Sequence, residues 1–132
     1  VRCSLNYIRM PRRLKELGSY AFYSSALKKI TVYGKVELGE TFKYCKKLKT
    51  VVLKEGVKEL GEYVFIHCPK LRSVTVPKSV KGLVCIYDNI FYYRGLKCNL
   101  SNITIKTPKN SEMYRYRKFW KKRYKIKVKV IK

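Results

Sequence analysis

The sequence predicts an α/β solenoid, a stack of short repeated units that each contain a helical turn and a strand, closed by a C-terminal helix and strand. Two observations support this fold class. A pattern of glycine, phenylalanine, cysteine, leucine and alternating apolar residues recurs through most of the chain. Residues 110–132, the tail, lack that pattern and contain instead a single apolar stripe at helical spacing. We therefore place a repeat region of about four and a half units at residues 1–109 and a cap at residues 110–132.

The clearest copies of the repeat occupy residues 38–53 and 60–77, which align at a constant offset of 23 residues from the phenylalanine onward. The matched positions are Phe42 and Phe65, Cys45 and Cys68, Leu48 and Leu71, and Val51 and Val74. Another copy covers residues 17–32, and a looser, longer one runs over residues 83–105. Residues 3–11 fit only the second half of a unit, so we expect further repeats or another domain upstream in the natural protein.

Each unit has a physical interpretation. Its glycine (Gly18, Gly39 or Gly61) permits a turn that residues with a Cβ resist, and the phenylalanine that follows lies on a short helical turn. The Leu-x-x-apolar-x-apolar segment then predicts a short strand whose alternate residues point inward. One unit cannot bury its apolar face alone, so the units must stack and share a core. The predicted inward pairs are Ile8 and Met10, Ile30 and Val32, Val51 and Leu53, Val74 and Val76, and Ile103 and Ile105.

The repeat resembles the BspA-type leucine-rich repeat, whose units read approximately Ile-Gly-x-x-Ala-Phe-x-x-Cys-x-x-Leu-x-x-Ile-x-Ile-Pro. The similarity covers about residues 3–108, and the glycine, phenylalanine, cysteine, leucine and proline recur together. It departs from the family pattern between Gly39 and Phe42, where one residue is missing, and in the first full copy, which lacks the cysteine. The resemblance implies a curved solenoid with short parallel strands on one face and short helical turns on the other. It also implies cell-surface adhesion or protein interaction, and it brings no catalytic residues.

Stacking predicts ladders of like side chains inside the core. One ladder comprises Phe22, Phe42, Phe65 and Phe91, and another comprises Leu27, Leu48, Leu71 and Leu100. Cys45 and Cys68 occupy equivalent positions, so we expect them to be buried, reduced thiols that react slowly. The chain has an odd five cysteines without a Cys-x-x-Cys motif, which argues against a disulfide framework or a zinc ribbon.

The residues between the inward pairs form a candidate binding face. A central column would contain Arg9, Thr31, Val52, Thr75 and Thr104. The full candidate set is Tyr7, Arg9, Lys29, Thr31, Thr50, Val52, Lys54, Ser73, Thr75, Asn102 and Thr104. β-Branched residues also suit a strand by propensity alone, so the same column is equally consistent with a purely structural role.

The tail predicts a helix followed by a strand. Asn110 or Ser111 is placed to cap the helix, and Glu112 follows at its positive end. The apolar stripe of this helix consists of Met113, Tyr116, Phe119, Trp120 and Tyr124. The last residues alternate, with Ile126, Val128 and Val130 predicted to face inward. A helix and strand of this kind would close the end of the repeat stack.

The tail is also strongly basic, with ten Lys and Arg against one Glu in residues 110–132. Its candidate polyanion-binding residues are Arg115, Arg117, Lys118, Lys121, Lys122 and Arg123. Aromatic residues interleave with these cations, which suits contact with phosphates or acidic headgroups. A structural cap whose aromatic rings close the core while its lysines stay in water explains the same pattern.

The charge of the whole chain leaves two classes of function open. The 32 Lys and Arg against 8 Asp and Glu give a net charge of +24. The codon bias of an AT-rich genome explains why lysines are numerous, but it explains less well why acidic residues are scarce. One class is a recognition module, at the cell surface or secreted, that binds protein or glycan. The other is an electrostatic binder of nucleic acid or anionic membrane, for which we expect weak, salt-sensitive attraction to DNA, RNA and heparin alike.

Enzymatic chemistry is not predicted. The single histidine, His67, lies beside Cys68, and a solvated surface histidine is the expected case. The sequence shows no glycine-rich phosphate loop, no plausible carboxylate pair and no ligand set for a metal or another cofactor. It has neither an apolar stretch of 18 residues nor an N-terminal apolar run typical of a signal peptide. We therefore predict a non-enzymatic protein without a cofactor.

Overall fold

A computed structural model describes residues 7–9, 16–17, 27–34, 37–38, 42, 45–60, 65, 68–81 and 103–131 of the 132-residue chain. Several expectations from the sequence lie outside these residues. They are the incomplete first unit before Tyr7, the extra length around 86–95, the turns at Gly18, Gly39 and Gly61, and the side chains of Phe22, Phe91, Leu100, His67 and Asn102. The partition at residue 109 stays a prediction.

Nine strands and two helices make up the described structure. The strands are β1 (Tyr7–Arg9), β2 (Glu16–Leu17), β3 (Lys29–Val32), β4 (Glu37–Leu38), β5 (Thr50–Leu53), β6 (Glu59–Leu60), β7 (Ser73–Thr75), β8 (Thr104–Pro108) and β9 (Lys127–Ile131). The helices, α1 (Glu112–Arg115) and α2 (Arg117–Tyr124), lie between β8 and β9. Most strands are only two to five residues long because each repeat contributes one short segment to each layer.

Six strands form one parallel sheet in the order β1-β3-β5-β7-β8-β9. Equivalent residues of successive repeats are direct partners, as in the pairing of Ile30 with Val51 and of Val51 with Val74. The step of 23 residues between the last two is the offset of the sequence repeat. The predicted parallel stacking of the repeat strands is thereby confirmed.

A second parallel sheet, β2-β4-β6, pairs short segments that precede the repeat glycines. Glu16 pairs with Glu37 and Glu37 with Glu59, so three carboxylate residues share one row. Leu38 and Leu60 in the adjacent row are buried. Sequence reasoning treated these segments as approaches to a turn and missed the sheet, because two residues are too few to show a strand periodicity.

The core lies behind the large sheet and consists of like residues from successive repeats. The inward pairs Ile30 and Val32, Val51 and Leu53, and Val74 and Val76 are all at most 1% exposed, as predicted. Leu27, Leu48 and Leu71 are buried at equivalent positions. The rings of Phe42 and Phe65 stack with centroids 5.8 Å apart and planes 5° from parallel, which confirms the part of the phenylalanine ladder that the structure describes.

Both described thiols behave as predicted core groups. Cys45 and Cys68 are buried and are not joined by a disulfide. The thiol of Cys68 donates a hydrogen bond to the Phe42 carbonyl at 3.0 Å. This bond joins neighbouring repeats, because the two residues are 26 positions apart in the chain.

A corner beside the large sheet brings equivalent positions of three repeats together. Gly34 and Gly56 both have positive φ angles, 82° and 109°. A Cβ on Gly56 would lie only 3.1–3.2 Å from backbone atoms of Gly34, so the close approach requires glycine. In the next repeat Ser79 accepts a hydrogen bond from the Gly56 amide at 3.0 Å and donates to the Val57 carbonyl at 2.6 Å.

The register of β8 differs from the one predicted. Val74 pairs with Ile105, and Thr75 pairs with Lys106 rather than with Thr104. The predicted inward pair of Ile103 and Ile105 is buried, but Thr107 also occupies the buried column and is fully enclosed. The strand is therefore shifted by two residues from the predicted alignment, because the longer connection before it hides the correct spacing.

Thr107 is accommodated in the core by a chain of hydrogen bonds. Its hydroxyl donates to the Val76 carbonyl at 2.7 Å and lies 2.6 Å from the Ser111 hydroxyl. Because the Thr107 hydroxyl has only one proton, the Ser111 hydroxyl must donate to it. Ser111 in turn accepts from the Tyr114 amide at 3.0 Å and is the N-cap of α1, one of the two candidates that the sequence offers.

The tail forms a parallel crossover from β8 through the two helices to β9. The predicted single helix is interrupted at Tyr116, whose φ and ψ are −95° and 17°. The predicted apolar stripe is confirmed, since Met113 and Trp120 are buried in the common core and the remaining aromatic residues pack against it. The inward prediction is correct for Ile126 but wrong for Val130, which is 49% exposed because no further strand of the described part covers it at this end of the sheet.

Candidate interaction surface

Two rows of residues in strand register lie on the outward side of the six-stranded sheet. The first row contains Tyr7, Lys29, Thr50, Ser73, Thr104 and Lys127. The second row contains Arg9, Thr31, Val52, Thr75, Lys106 and Lys129. Neighbouring members of a row are about 4.8 Å apart, and the rows are separated by about 6.8 Å along each strand.

Most predicted face residues lie in these rows. The centre of the face consists of half-buried hydroxyl and valine side chains, namely Thr50, Val52, Ser73, Thr75 and Thr104. Lys29 and Lys54 are exposed, and Lys54 follows directly after β5. The backbones of Tyr7 and Arg9 take the predicted places in β1. The predicted columns are thereby brought together on one surface.

The exposure of one predicted residue and the row of another differ from what the sequence predicts. Thr31 is only 6% exposed, because its short side chain lies on an interior strand between the longer Lys29 and Tyr33 and beside Val52. Thr104 belongs to the first row, where Asn102 was expected, and its predicted place in the second row is taken by Lys106. Both differences change the chemistry of the face, since the Thr31 hydroxyl is buried and Lys106 joins the second row.

The face is cationic at its β8–β9 end. Lys106 and Lys129 are direct cross-strand partners, and Lys127 lies two residues before Lys129 on the same strand; all three are exposed. Like charges directly opposite each other are unfavourable in a sheet. Sequence reasoning missed this group because it assigned residues 125–132 to the cap and did not place their lysines beside Lys106.

Carboxylates are kept away from both outward rows. None of the twelve registered positions in these rows is Asp or Glu. Glu16, Glu37 and Glu59 lie in the second sheet instead, and Glu55 binds the Ser79 amide at the corner, with both carboxylate oxygens at 3.2 Å. Positive charge on the outward face is therefore not neutralised within either row.

The cations of the helices form a separate group. Lys118, Lys121, Lys122 and Arg123 are exposed on α2, and Arg115 is exposed on α1. The helices pack on the core side of the large sheet, since Met113 and Trp120 share a buried cluster with Ile105. Their exposed cations thus lie across the molecule from the outward rows. The two candidate sets in the sequence are two different surfaces.

Part of the helical cation group is engaged within the protein. Arg117 lies over the Tyr114 ring at 4.2 Å and donates to the Tyr114 carbonyl at 3.1 Å. Arg123 lies 5.7 Å from the centroid of the Tyr124 ring. Lys121, Lys122 and Arg123 occupy the last turn of α2, where positive charge is favourable toward the helix dipole. These contacts give the cations a structural role in the tail.

Other features of the described residues offer less specific chemistry. An open depression of about 470 Å³ is lined by Lys58, Glu59, Ser79 and Lys81, whose opposite charges select no single class of ligand. Within the described ranges no three His, Cys, Asp or Glu side chains are placed to hold a metal ion. Neither described helix is long and apolar enough to cross a membrane.

Repeated parallel strands that stack their like residues into one core define the chain as a repeat protein. The family model for the BspA type leucine rich repeat region matches six copies, over residues 1–97 and 40–124. The chain belongs to this family. The second match extends through α1 and to the last residue of α2, beyond the segment recognised in the sequence. Searches of curated proteins and of solved structures found no match.

Proposed function

We propose that the chain is a non-enzymatic recognition module that binds a protein or a glycan through the outward rows of the large sheet. Family membership makes it a repeat-based protein-interaction module. The observation that carries the proposed location is the pair of rows, because β3, β5, β7, β8 and β9 contribute hydroxyl, aliphatic and cationic side chains to one surface. Binding residues are commonly displayed in this way on a rigid scaffold.

The remaining parts of the molecule support this surface in the proposal. The two sheets form two sides of a solenoid, and residues 110–132 close its C-terminal end by covering the core with Met113 and Trp120. BspA-type repeat proteins are typically at the cell surface or secreted, which supports the same location for this protein.

The experiment compares crosslinking from the two surfaces. A photoreactive phenylalanine is placed at Val52 on the outward face or at Lys121 on α2, and crosslinked partners are identified by mass spectrometry from cells that express the protein. We expect the same partner to be captured repeatedly from position 52 and not from position 121. The purified partner should bind the Val52→Glu, Thr75→Glu variant at least tenfold more weakly than the parent.

A second experiment tests the alternative function, electrostatic binding of nucleic acid or anionic membrane. The Lys121→Gln, Lys122→Gln variant is the control, and its affinity for the partner should stay within about twofold of the parent. Loss of binding in this variant alone, with the Val52 and Thr75 variant unaffected, would assign recognition to the basic tail. Tight nucleic-acid binding at 150 mM salt with the same dependence would establish an electrostatic binder instead.

A further inference from the structure

We propose that the β8–β9 end of the outward face binds an extended acidic polypeptide segment through Lys106, Lys127 and Lys129. This inference rests on the proposed function, since it names the partner chemistry of the same face. It starts from the cross-strand pair of Lys106 and Lys129, two exposed lysines on neighbouring strands whose backbones lie about 4.8 Å apart. A carboxylate between them removes a repulsion that the free protein retains.

The spacing of the lysines suits a polypeptide in extended conformation. Lys127 and Lys129 are two residues apart on one strand, so their Cα atoms are separated by about 6.8 Å. Alternate side chains of an extended peptide on one face repeat at the same distance. A segment with an acidic residue at every second position therefore places one carboxylate at Lys127 and the next at the Lys106–Lys129 pair.

The surroundings of the lysines favour this ligand over nucleic acid. Single-stranded nucleic acids are held by aromatic side chains that stack on the bases beside the cations. The row neighbours of the three lysines are instead Thr75 and Thr104, and the next outward pair on the same strands is Pro108 with Ile131. A broad sheet surface also offers no single helix or two-stranded ribbon to enter the major groove of a duplex.

The positions of the glutamates also favour an acidic ligand. The glutamates in the second sheet and at the corner lie outside the rows, so no registered row carboxylate competes for the lysines. Hydroxyls of Ser73, Thr75 and Thr104 lie beside them and can bond to the backbone or side chains of the ligand. Among the described residues, the three lysines thus lie beside short polar side chains and share their rows with no carboxylate.

The test uses a fluorescein-labelled decapeptide of alternating Glu and Ser, with binding to the full chain followed by fluorescence anisotropy at 100 mM salt. The face variant is Lys106→Gln, Lys127→Gln, Lys129→Gln. The matched control is Lys118→Gln, Lys121→Gln, Lys122→Gln, which removes the same charge from three exposed lysines on α2. Unchanged circular dichroism spectra verify that both variants are folded.

We expect the face variant to bind the peptide at least tenfold more weakly than the parent and the control variant to change by less than about twofold. Equal losses in both variants, or no binding by the parent, would overturn the proposal. Tighter binding of a heparin fragment or of a ten-nucleotide single-stranded DNA than of the peptide would also overturn it. If binding of the crosslinked partner requires Val52 and Thr75 but not these lysines, the proposed function is supported and the proposal of an acidic ligand is rejected.

Discussion

At the scale of single residues, the stacked rings of Phe42 and Phe65 are the strongest test of the core. Each side chain is at most 2% exposed, and the rings are 5.8 Å apart. We expect Phe42→Ala or Phe65→Ala to lower the free energy of unfolding by about 3–5 kcal/mol, because each leaves a cavity that the neighbouring repeats cannot fill. Urea denaturation measures the change.

The matched control is Lys46→Ala, at an exposed position of the same repeat, which should change stability by less than about 0.5 kcal/mol. The double variant should lose less than the sum of the single variants, since the rings contact each other. If either single alanine variant unfolds at the urea concentration of the parent, the ring does not contribute to a packed core.

Residue types in the sequence predicted the core well and the surface less well. Phenylalanine, leucine and cysteine positions recur at fixed intervals, and a buried column can be read from such a recurrence. Thr31 shows the limit of this reasoning. The alternation of apolar residues along β3 places Thr31 correctly on the outward side of the sheet. Its burial depends on the lengths of the neighbouring side chains, and the alternation carries no information about those lengths.

At the scale of secondary-structure elements, the hydrogen-bond chain from Val76 through Thr107 and Ser111 to Tyr114 joins three elements. It links the end of β7, the inner side of β8 and the start of α1. We expect Thr107→Val to lower the free energy of unfolding by about 1–3 kcal/mol, because the Val76 carbonyl and the Ser111 hydroxyl would lose a buried partner. Thermal and urea denaturation measure the change.

Thr104→Val is the control for the same substitution on the outward side of the same strand. It should have little effect on stability, since valine suits a half-buried strand position as well as threonine does. A loss in the control as large as that in Thr107→Val would show that the hydroxyl network is not the source of the effect.

The elements differ in how far the sequence predicts them. The strands of the large sheet follow from apolar alternation, and the helical tail follows from its stripe and the Ser111 cap. The register of β8 does not follow, because a long connection separates it from β7 and Thr104 resembles the other outward threonines. The strand pairing in the structure reveals the shift that brings Lys106 beside Thr75 and Lys129.

At the scale of the whole molecule, the net charge of +24 opposes the folded state. Compaction brings the cations together, and salt screens their repulsion over about 10 Å at 0.1 M. We expect the melting temperature to rise by roughly 3–5 °C when sodium chloride is increased from 10 to 200 mM, which corresponds to about 1 kcal/mol for a domain of this size. Differential scanning calorimetry measures the shift.

The triple variant Lys118→Gln, Lys121→Gln, Lys122→Gln gives the corresponding control, because its lower net charge should reduce the response to salt. A melting temperature that falls as salt is added would mean that favourable ion pairs outweigh the repulsion. The same salt that stabilises the folded protein should lower its affinity for an acidic ligand on the outward face, because it also screens the attraction between opposite charges.

The long connection between β7 and β8 also has a mechanical consequence. In the described sheet each strand pairs only with its immediate neighbours, and β1 and β9 at the edges have one neighbour each. We therefore expect a pulling force on the chain ends to detach the repeats one after another from the edge strands. Releasing one ordinary unit of 22 residues, as between Tyr7 and Lys29, lengthens the extended chain by about 75 Å. The 31 residues from Ser73 to Thr104 release about 105 Å. We therefore expect the molecule to unfold under force in steps, with the largest step at the joint between β7 and the lysine-containing strands β8 and β9.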